Sequence, residues 1–289
     1  MKLLICDVDN TLFDWSGYYA SAFRALVHVA ARELAIPEER LYSELKVVHQ
    51  KHRSIEYSFS LQELPSTGAL EIDALRKVLD AAIGAFNSVK RKRLRPFEDV
   101  RPTLAWIRMQ QYSVVAVTNS PTYQAYRRIE RMGLRSYFDG LVSWEGWGAK
   151  GRDDPLVGHR MPESSAIDFP WHAAVSHADL KPSTIPYELV LERYPKLGEP
   201  AWVVGDSLSN DIAPATQLGL HSVWAKYGSN TRAKDLETLL RVTDWTDSQI
   251  RALRKAPTVT PEYSIDTFSD LQRILPESQP TLFDNMEEA

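Results

Sequence analysis

Short, continuously apolar runs that each end in a polar cluster recur along the chain. Leu3-Leu4-Ile5-Cys6 runs into DVDNT, Ser113-Val114-Val115-Ala116-Val117 into TNSPT, and Ala201-Trp202-Val203-Val204 into GDSLSND. A run with no polar face predicts a strand buried on both sides, the usual state of strands in a parallel sheet covered by helices. Between the runs the apolar spacing changes to that of helices, as in residues 100–111 and 187–194. Strands alternating with helices predict an α/β fold built on a parallel sheet. Ligands of such sheets bind beyond the carboxyl ends of the strands, so the three polar clusters are expected to share one crevice.

About a hundred residues separate the first two runs, too many for one crossover helix. Residues 16–50 and 69–90 carry helical periodicity, for example Ala22, Leu26, Val29 and Ala30. Pro37 is expected to open a second helix, with Glu38 and Glu39 suited to its first turn. Residues 15–94 are therefore predicted to be an inserted helical cap, with 1–14 and 95–276 forming the core. The basic run KRKRLR at 90–95 reads either as a solvated linker face or as a local attraction for an anionic substrate. A second excursion, 144–180, holds Trp144, Trp147 and Trp171 with His159, His172 and His177. It suggests a lid or binding loop, and the histidine spacing fits no standard zinc pattern.

Composition narrows the classes. Of 289 residues, 44% are hydrophobic and 25% charged, the balance of an ordinary globular chain. A net charge of -4 supplies no global basic field for nucleic acid. The one cysteine, Cys6, excludes an internal disulfide and a cysteine-based metal cluster. Residues 3–6 are too short for a signal peptide or a membrane span, so a cytoplasmic protein is expected.

In their order, the polar clusters resemble the motifs of the haloacid dehalogenase superfamily. Asp7-Val8-Asp9-Asn10-Thr11 is similar to its D-x-D-x-T motif, Thr118-Asn119 to the second, and the stretch from Gly205 to Asp211 to the fourth. The third motif is a lysine. Lys181-Pro182 precedes the helical run and lies 25 residues before Asp206; Lys150 remains the alternative. With Lys181 chosen, residues 145–180 become an insertion before the third motif. The resemblance implies a Rossmann-like core and a phosphatase.

Phosphate esters resist hydrolysis, and a catalyst must supply a nucleophile and positive charge. By the resemblance, Asp7 attacks phosphorus to give an aspartyl-phosphate, and Asp9 protonates the leaving oxygen and then activates water. Lys181 neutralises Asp7, while Thr118 donates to the phosphoryl group. Mg²⁺ is expected on Asp7, the Asp9 main-chain carbonyl, Asp206 and Asp211. An acid at position 9 favours an ester oxygen as leaving atom, whereas helix capping alone explains only one of the three clusters. Asn119 and Ser207 are expected as phosphate-loop neighbours. Asn210 reads as a supporting or turn residue, and Thr11 as a loop cap or support.

Substrate choice is expected from the cap, where HRSIEYSFS at 52–60 mixes aromatic and polar groups and Arg53 is a candidate for a second anionic group. Trp15, Tyr18 and Tyr19 are placed to line the entrance. A small phosphorylated metabolite is expected: a nucleotide, flavin mononucleotide or a sugar phosphate. A phosphomutase is a weaker reading. Residues 277–289 are expected to be disordered. Within them QPTLF is similar to peptides that bind the bacterial sliding clamp, with Gln279, Leu282 and Phe283 as its anchors. The alternative to an enzyme is an interaction protein that this tail recruits to the sliding clamp.

Overall fold

The computed structural model describes residues 2–146, 167–195, 201–246 and 259–278. Lys150, residues 147–166 of the expected insertion, and the tail anchors Gln279, Leu282 and Phe283 lie outside the described residues.

Among the described residues, seven strands pair in one parallel sheet: β1 (Lys2–Cys6), β2 (Tyr112–Pro121), β3 (Gly140–Trp144), β4 (His172–Val175), β5 (Trp202–Gly205), β6 (His221–Ala225) and β7 (Tyr263–Ile265). Their order is β4-β3-β2-β1-β5-β6-β7. The chain starts in the middle, winds outward through β4, then returns to the other side of β1. That reversal is the topological switch point at which open α/β sheets bind ligands. The strands around it, β2, β1 and β5, are the ones that end in TNS, DVDNT and GDS.

Successive side chains of a strand point to opposite faces, and the core divides accordingly. Leu4 and Cys6 of β1 join Val114 and Ala116 of β2 on one side, over Val100, Leu104 and Ile107 of α5 (Val100–Met109). Leu3 and Ile5 join Val115 and Val117 on the other, over Tyr187 and Val190 of the helix Ile185–Arg193. The four strands that the apolar pattern did not reveal are short and carry Ser, His, Trp or Tyr.

The segment between β1 and β2 holds helices α1 (Trp15–Leu34), α2 (Glu38–His52), the single turn α3 (Pro65–Gly68) and α4 (Ile72–Arg93). Asp14 caps α1 by accepting from Gly17 N at 2.7 Å. Pro37 precedes α2, whose first turn contains Glu38 and Glu39. The basic run is not a linker: α4 continues through Arg93, so four cations sit in its last turn, where the helix dipole favours them. After β2 come α6 (Thr122–Arg131), then α7 (Ile185–Arg193), α8 (Ala213–Gln217) and α9 (Ala233–Val242). Helix α1 is tied to α9 by Arg24–Asp235 at 2.8 Å. Among the described residues no helix is long and apolar enough to cross a membrane.

The α2–α9 seam contains a fully buried His49 whose Nδ1 donates to Val242 O at 2.6 Å. Its Nε2 finds no hydrogen-bond partner among the described residues, and burial pushes its pKa down to about 4. The unfolded chain, with an ordinary histidine near 6.5, takes up a proton that the folded chain refuses. Stability attributable to this site therefore falls as pH drops from about 6.5 to about 4, by about 3 kcal/mol in total. Urea unfolding of wild type and His49→Gln at pH 7 and pH 4.5 checks this. The substitution should flatten the pH dependence.

Candidate active site

Asp7 follows β1 directly, its N–H donating to Val204 O of β5 at 2.9 Å, so its carboxyl group emerges at the switch point. Lys181 Nζ donates to Asp7 Oδ1 at 2.6 Å, to Asp211 Oδ1 at 2.7 Å and to Val117 O at 3.1 Å. Thr11 Oγ1 donates to Asp7 Oδ2 at 2.8 Å, which gives this threonine a contact with the carboxylate rather than a loop cap. Asn10 between them takes the left-handed conformation (φ 61°), a region that asparagine tolerates better than most residues.

Lys181 reaches the crevice because its own peptide is held. Asn119 Nδ2 donates to Lys181 O and Lys181 N donates to Asn119 Oδ1, both at 2.9 Å. Asn119, expected beside the phosphate, thus has its amide engaged on the lysine backbone. Strand β2 runs on through Thr118, Asn119 and Ser120, with its register against β3 shifting between Val117 and Pro121. That irregularity re-aims the TNS side chains at the crevice.

The GDS cluster turns into a wide helical turn, Leu208–Ile212, that places Asp211 beneath the site. Ser207 N donates to Asp211 Oδ2 at 3.0 Å, while Ser207 Oγ accepts from Asn210 N at 3.1 Å. Both residues therefore build the turn. A Cβ on Gly205 would lie 2.3 Å from Asp211 Cγ, so only glycine lets this carboxylate pack against the strand end.

Asp7, Asp206 and Asp211 each offer an oxygen, all within 4.8 Å of one another. Three carboxylates face one ammonium, and the electrostatics follow. Burial lifts the Asp7 carboxyl to about 7; Lys181 pulls it down while Asp211 and Asp9 push it up. Asp206 is raised well above the usual carboxylate range by burial and by Asp7 and Asp211. Burial opposes the charge on Lys181, but Asp211 and Asp7 outweigh it and hold its pKa well above that of a free lysine. Hard oxygens with unmet negative charge suit a divalent cation.

Asp9 faces away from that cluster. Its Oδ2 accepts from Thr118 Oγ1 at 3.0 Å, Ser120 Oγ at 2.7 Å and Arg128 Nη2 at 3.4 Å. Burial raises its pKa, with Arg128 opposing and Glu56 adding to the rise. Ser120, Arg128 and Glu56 were not among the residues expected here. Arg53, which was, is exposed at the end of α2 and its side chain makes no hydrogen bond or ion pair with the described residues. The loop after α2 delivers Glu56, whose carboxylate accepts from Trp15 Nε1 at 3.2 Å and Arg128 Nη1 at 3.0 Å, with Ser120 Oγ 2.9 Å away and its single proton shared with Asp9. Tyr19 OH lies 3.2 Å from Arg128 Nη1, and Lys90 Nζ of α4 sits 4.7 Å over the Tyr19 ring. Burial among Tyr18, Tyr19 and Phe86 lowers the Lys90 pKa to about 7.

The family model of haloacid dehalogenase-like hydrolases matches residues 1–145, and a HAD-hydrolase-like model matches residues 180–270. The chain belongs to the haloacid dehalogenase-like hydrolases. Among family relatives, it is 27% identical over 232 residues to a glyceraldehyde 3-phosphate phosphatase of Methanopyrus kandleri, covering 79% of this chain and 85% of that one. It is 28% identical over 149 residues to a phosphoglycolate phosphatase of Nitrosococcus oceani, covering 52% of each. A solved structure of a HAD phosphatase from Thermococcus onnurineus superposes with a TM-score of 0.57 at 21% identity, over 97% of this chain and 100% of that one. That likeness extends the shared fold of the family across both the sheet and the helical segment.

Proposed function

We propose that this hydrolase is a Mg²⁺-dependent phosphatase of small phosphate monoesters, acting through an aspartyl-phosphate on Asp7. The observation that carries the reading is the pair of buried carboxyl groups two residues apart that meet different cations, Asp7 on Lys181 beside two further carboxylates and Asp9 on Arg128. Asp7 is paired with an ammonium, as a nucleophile facing an anionic ester requires. Asp9 is raised by burial, as an acid for an ester oxygen requires, against the Arg128 charge and the hydroxyl donors of Thr118 and Ser120, which favour its ionised form.

Asp7, Asp206 and Asp211 would hold Mg²⁺, joined as the family resemblance implies by the Asp9 main-chain carbonyl. When bound, the ion supplies charge neutralisation for the phosphoryl group. The Asp7 carboxylate attacks phosphorus while Lys181 balances the growing charge. Asp9 gives its proton to the leaving oxygen, then takes one from the water that attacks the acyl phosphate. Asn119 keeps Lys181 in place by its two backbone hydrogen bonds, and Thr11 fixes the rotation of Asp7. The relatives named as glyceraldehyde 3-phosphate and phosphoglycolate phosphatases favour a small phosphorylated metabolite.

The test is hydrolysis of 4-nitrophenyl phosphate with and without Mg²⁺, beside melting curves of the same samples. Turnover should require Mg²⁺. At Mg²⁺ near 100 times its Kd, binding to the folded chain alone adds about 2.7 kcal/mol of stability, and Asp206→Asn should remove most of that gain. Metal-independent turnover, or the same Mg²⁺ stabilisation in the variant, would count against the three-carboxylate site.

A further inference from the structure

The hydrogen bonds to the Asp9 carboxylate all fall on one oxygen. Oδ2 receives Thr118, Ser120 and Arg128, whereas Oδ1 is buried and has no hydrogen-bond partner among the described residues. A buried acceptor left without a donor is unusual, and here it is the oxygen that remains for a substrate. Arg128 is the threat to it. The residue is buried, and Nη2 stands 3.4 Å from Oδ1 as well as from Oδ2. Arginine pairs best with a carboxylate through two parallel hydrogen bonds, and an unrestrained Arg128 would take both oxygens of Asp9.

Glu56 prevents that. Both of its oxygens accept from Arg128 Nη1, at 3.1 and 3.0 Å, and hold that nitrogen away from Asp9. Glu56 is itself fixed by Trp15 Nε1, and Ser120 Oγ lies between it and Asp9 Oδ2 with one proton for the two acceptors. Its main-chain N–H donates to Ser54 Oγ at 3.0 Å, which shapes the loop.

We propose that Glu56 is a positioning residue for the reaction, holding Nη1 of Arg128 so that Asp9 keeps Oδ1 without a hydrogen bond, available to the leaving-group oxygen. This rests on the phosphatase reading above. In the step concerned the phosphorus–oxygen bond to the leaving group breaks, its electron pair goes to that oxygen, and the proton on Asp9 Oδ1 completes the alcohol. Because Glu56 comes from the loop after α2, the acid is correctly aimed only when that loop is docked against β2 and α6. The helical segment thereby sets the aim of an acid that belongs to the sheet.

The experiment compares two esters on each enzyme preparation: glycerol phosphate, whose alkoxide must be protonated to leave, and 4-nitrophenyl phosphate, whose phenolate leaves unaided. The ratio of their kcat/KM values is independent of the folded fraction. Glu56→Ala should lose about 30-fold on the alkyl ester and less than about threefold on the aryl ester. Glu56→Gln should fall between, since a neutral amide holds Arg128 less firmly. Glu56→Ala/Arg128→Met should recover about tenfold of the lost ratio, because the competing guanidinium is gone. Equal losses on both esters, or no recovery in the double variant, would overturn the proposal while leaving the phosphatase reading intact. Absence of turnover by wild type on either ester would overturn both.

Discussion

Asp7→Asn should reduce turnover of a phosphate ester by about 10⁴-fold or more while leaving the fold in place. An amide oxygen carries too little charge to attack phosphorus, and no acyl phosphate can form on it. The surroundings tolerate the change. Asn presents a carbonyl oxygen of the same size to Lys181 or Thr11, and removing one of three clustered carboxylates relieves repulsion. The melting temperature should therefore hold or rise as activity disappears. Acid quenching during turnover, followed by intact mass and peptide mapping, should find a phosphoryl group on Asp7 of wild type and none in the variant. Phosphorylation elsewhere, or turnover within tenfold of wild type, would rule out Asp7 as the nucleophile.

Lys181→Met should damage both stability and chemistry. The lysine ammonium is buried between Asp7 and Asp211 at 2.6 and 2.7 Å. Replacing one partner of a buried pair by an apolar group leaves the other charge uncompensated, which typically costs about 3–5 kcal/mol. Part of this should return when Mg²⁺ is added, because the ion supplies the missing charge to the same carboxylates. Turnover should not return. It should stay reduced by at least about a hundredfold, since in the proposed reaction the ammonium also acts against the phosphoryl oxygens. Guanidinium unfolding with and without Mg²⁺, beside kcat/KM, separates the two effects. A variant as stable and active as wild type would mean that the Asp7–Lys181–Asp211 bridge has no energetic weight in solution.

Much of the fold was legible because three strands are unbroken apolar runs, and the crevice because each of those runs stops at a polar cluster. The sheet order places these three strands side by side, which no single run could show. Lys181 could be singled out by its distance from Asp206 and the helix that follows. Ser120, Arg128 and Glu56 could not. Ser120 looks like a turn residue beside Pro121. Arg128 stands in a helix with arginines at 127 and 131, and nothing in that pattern says which one is buried. For the loop at 52–60 the expectation followed the charge of an anionic substrate and selected Arg53. Beside Asp9 the loop contributes its acid, Glu56, and the cation comes from α6 as Arg128.

The Asn119–Lys181 contact spans 62 positions of sequence with two hydrogen bonds. It makes the lysine's location a property of β2 rather than of the chain leading to it. Doubling the length of a flexible connection adds only about 0.6 kcal/mol of closure entropy, less than the about 1 kcal/mol typical of one such hydrogen bond. The chain between Trp144 and β4 can therefore change in length over evolution, or accept an engineered graft, without moving the Lys181 ammonium.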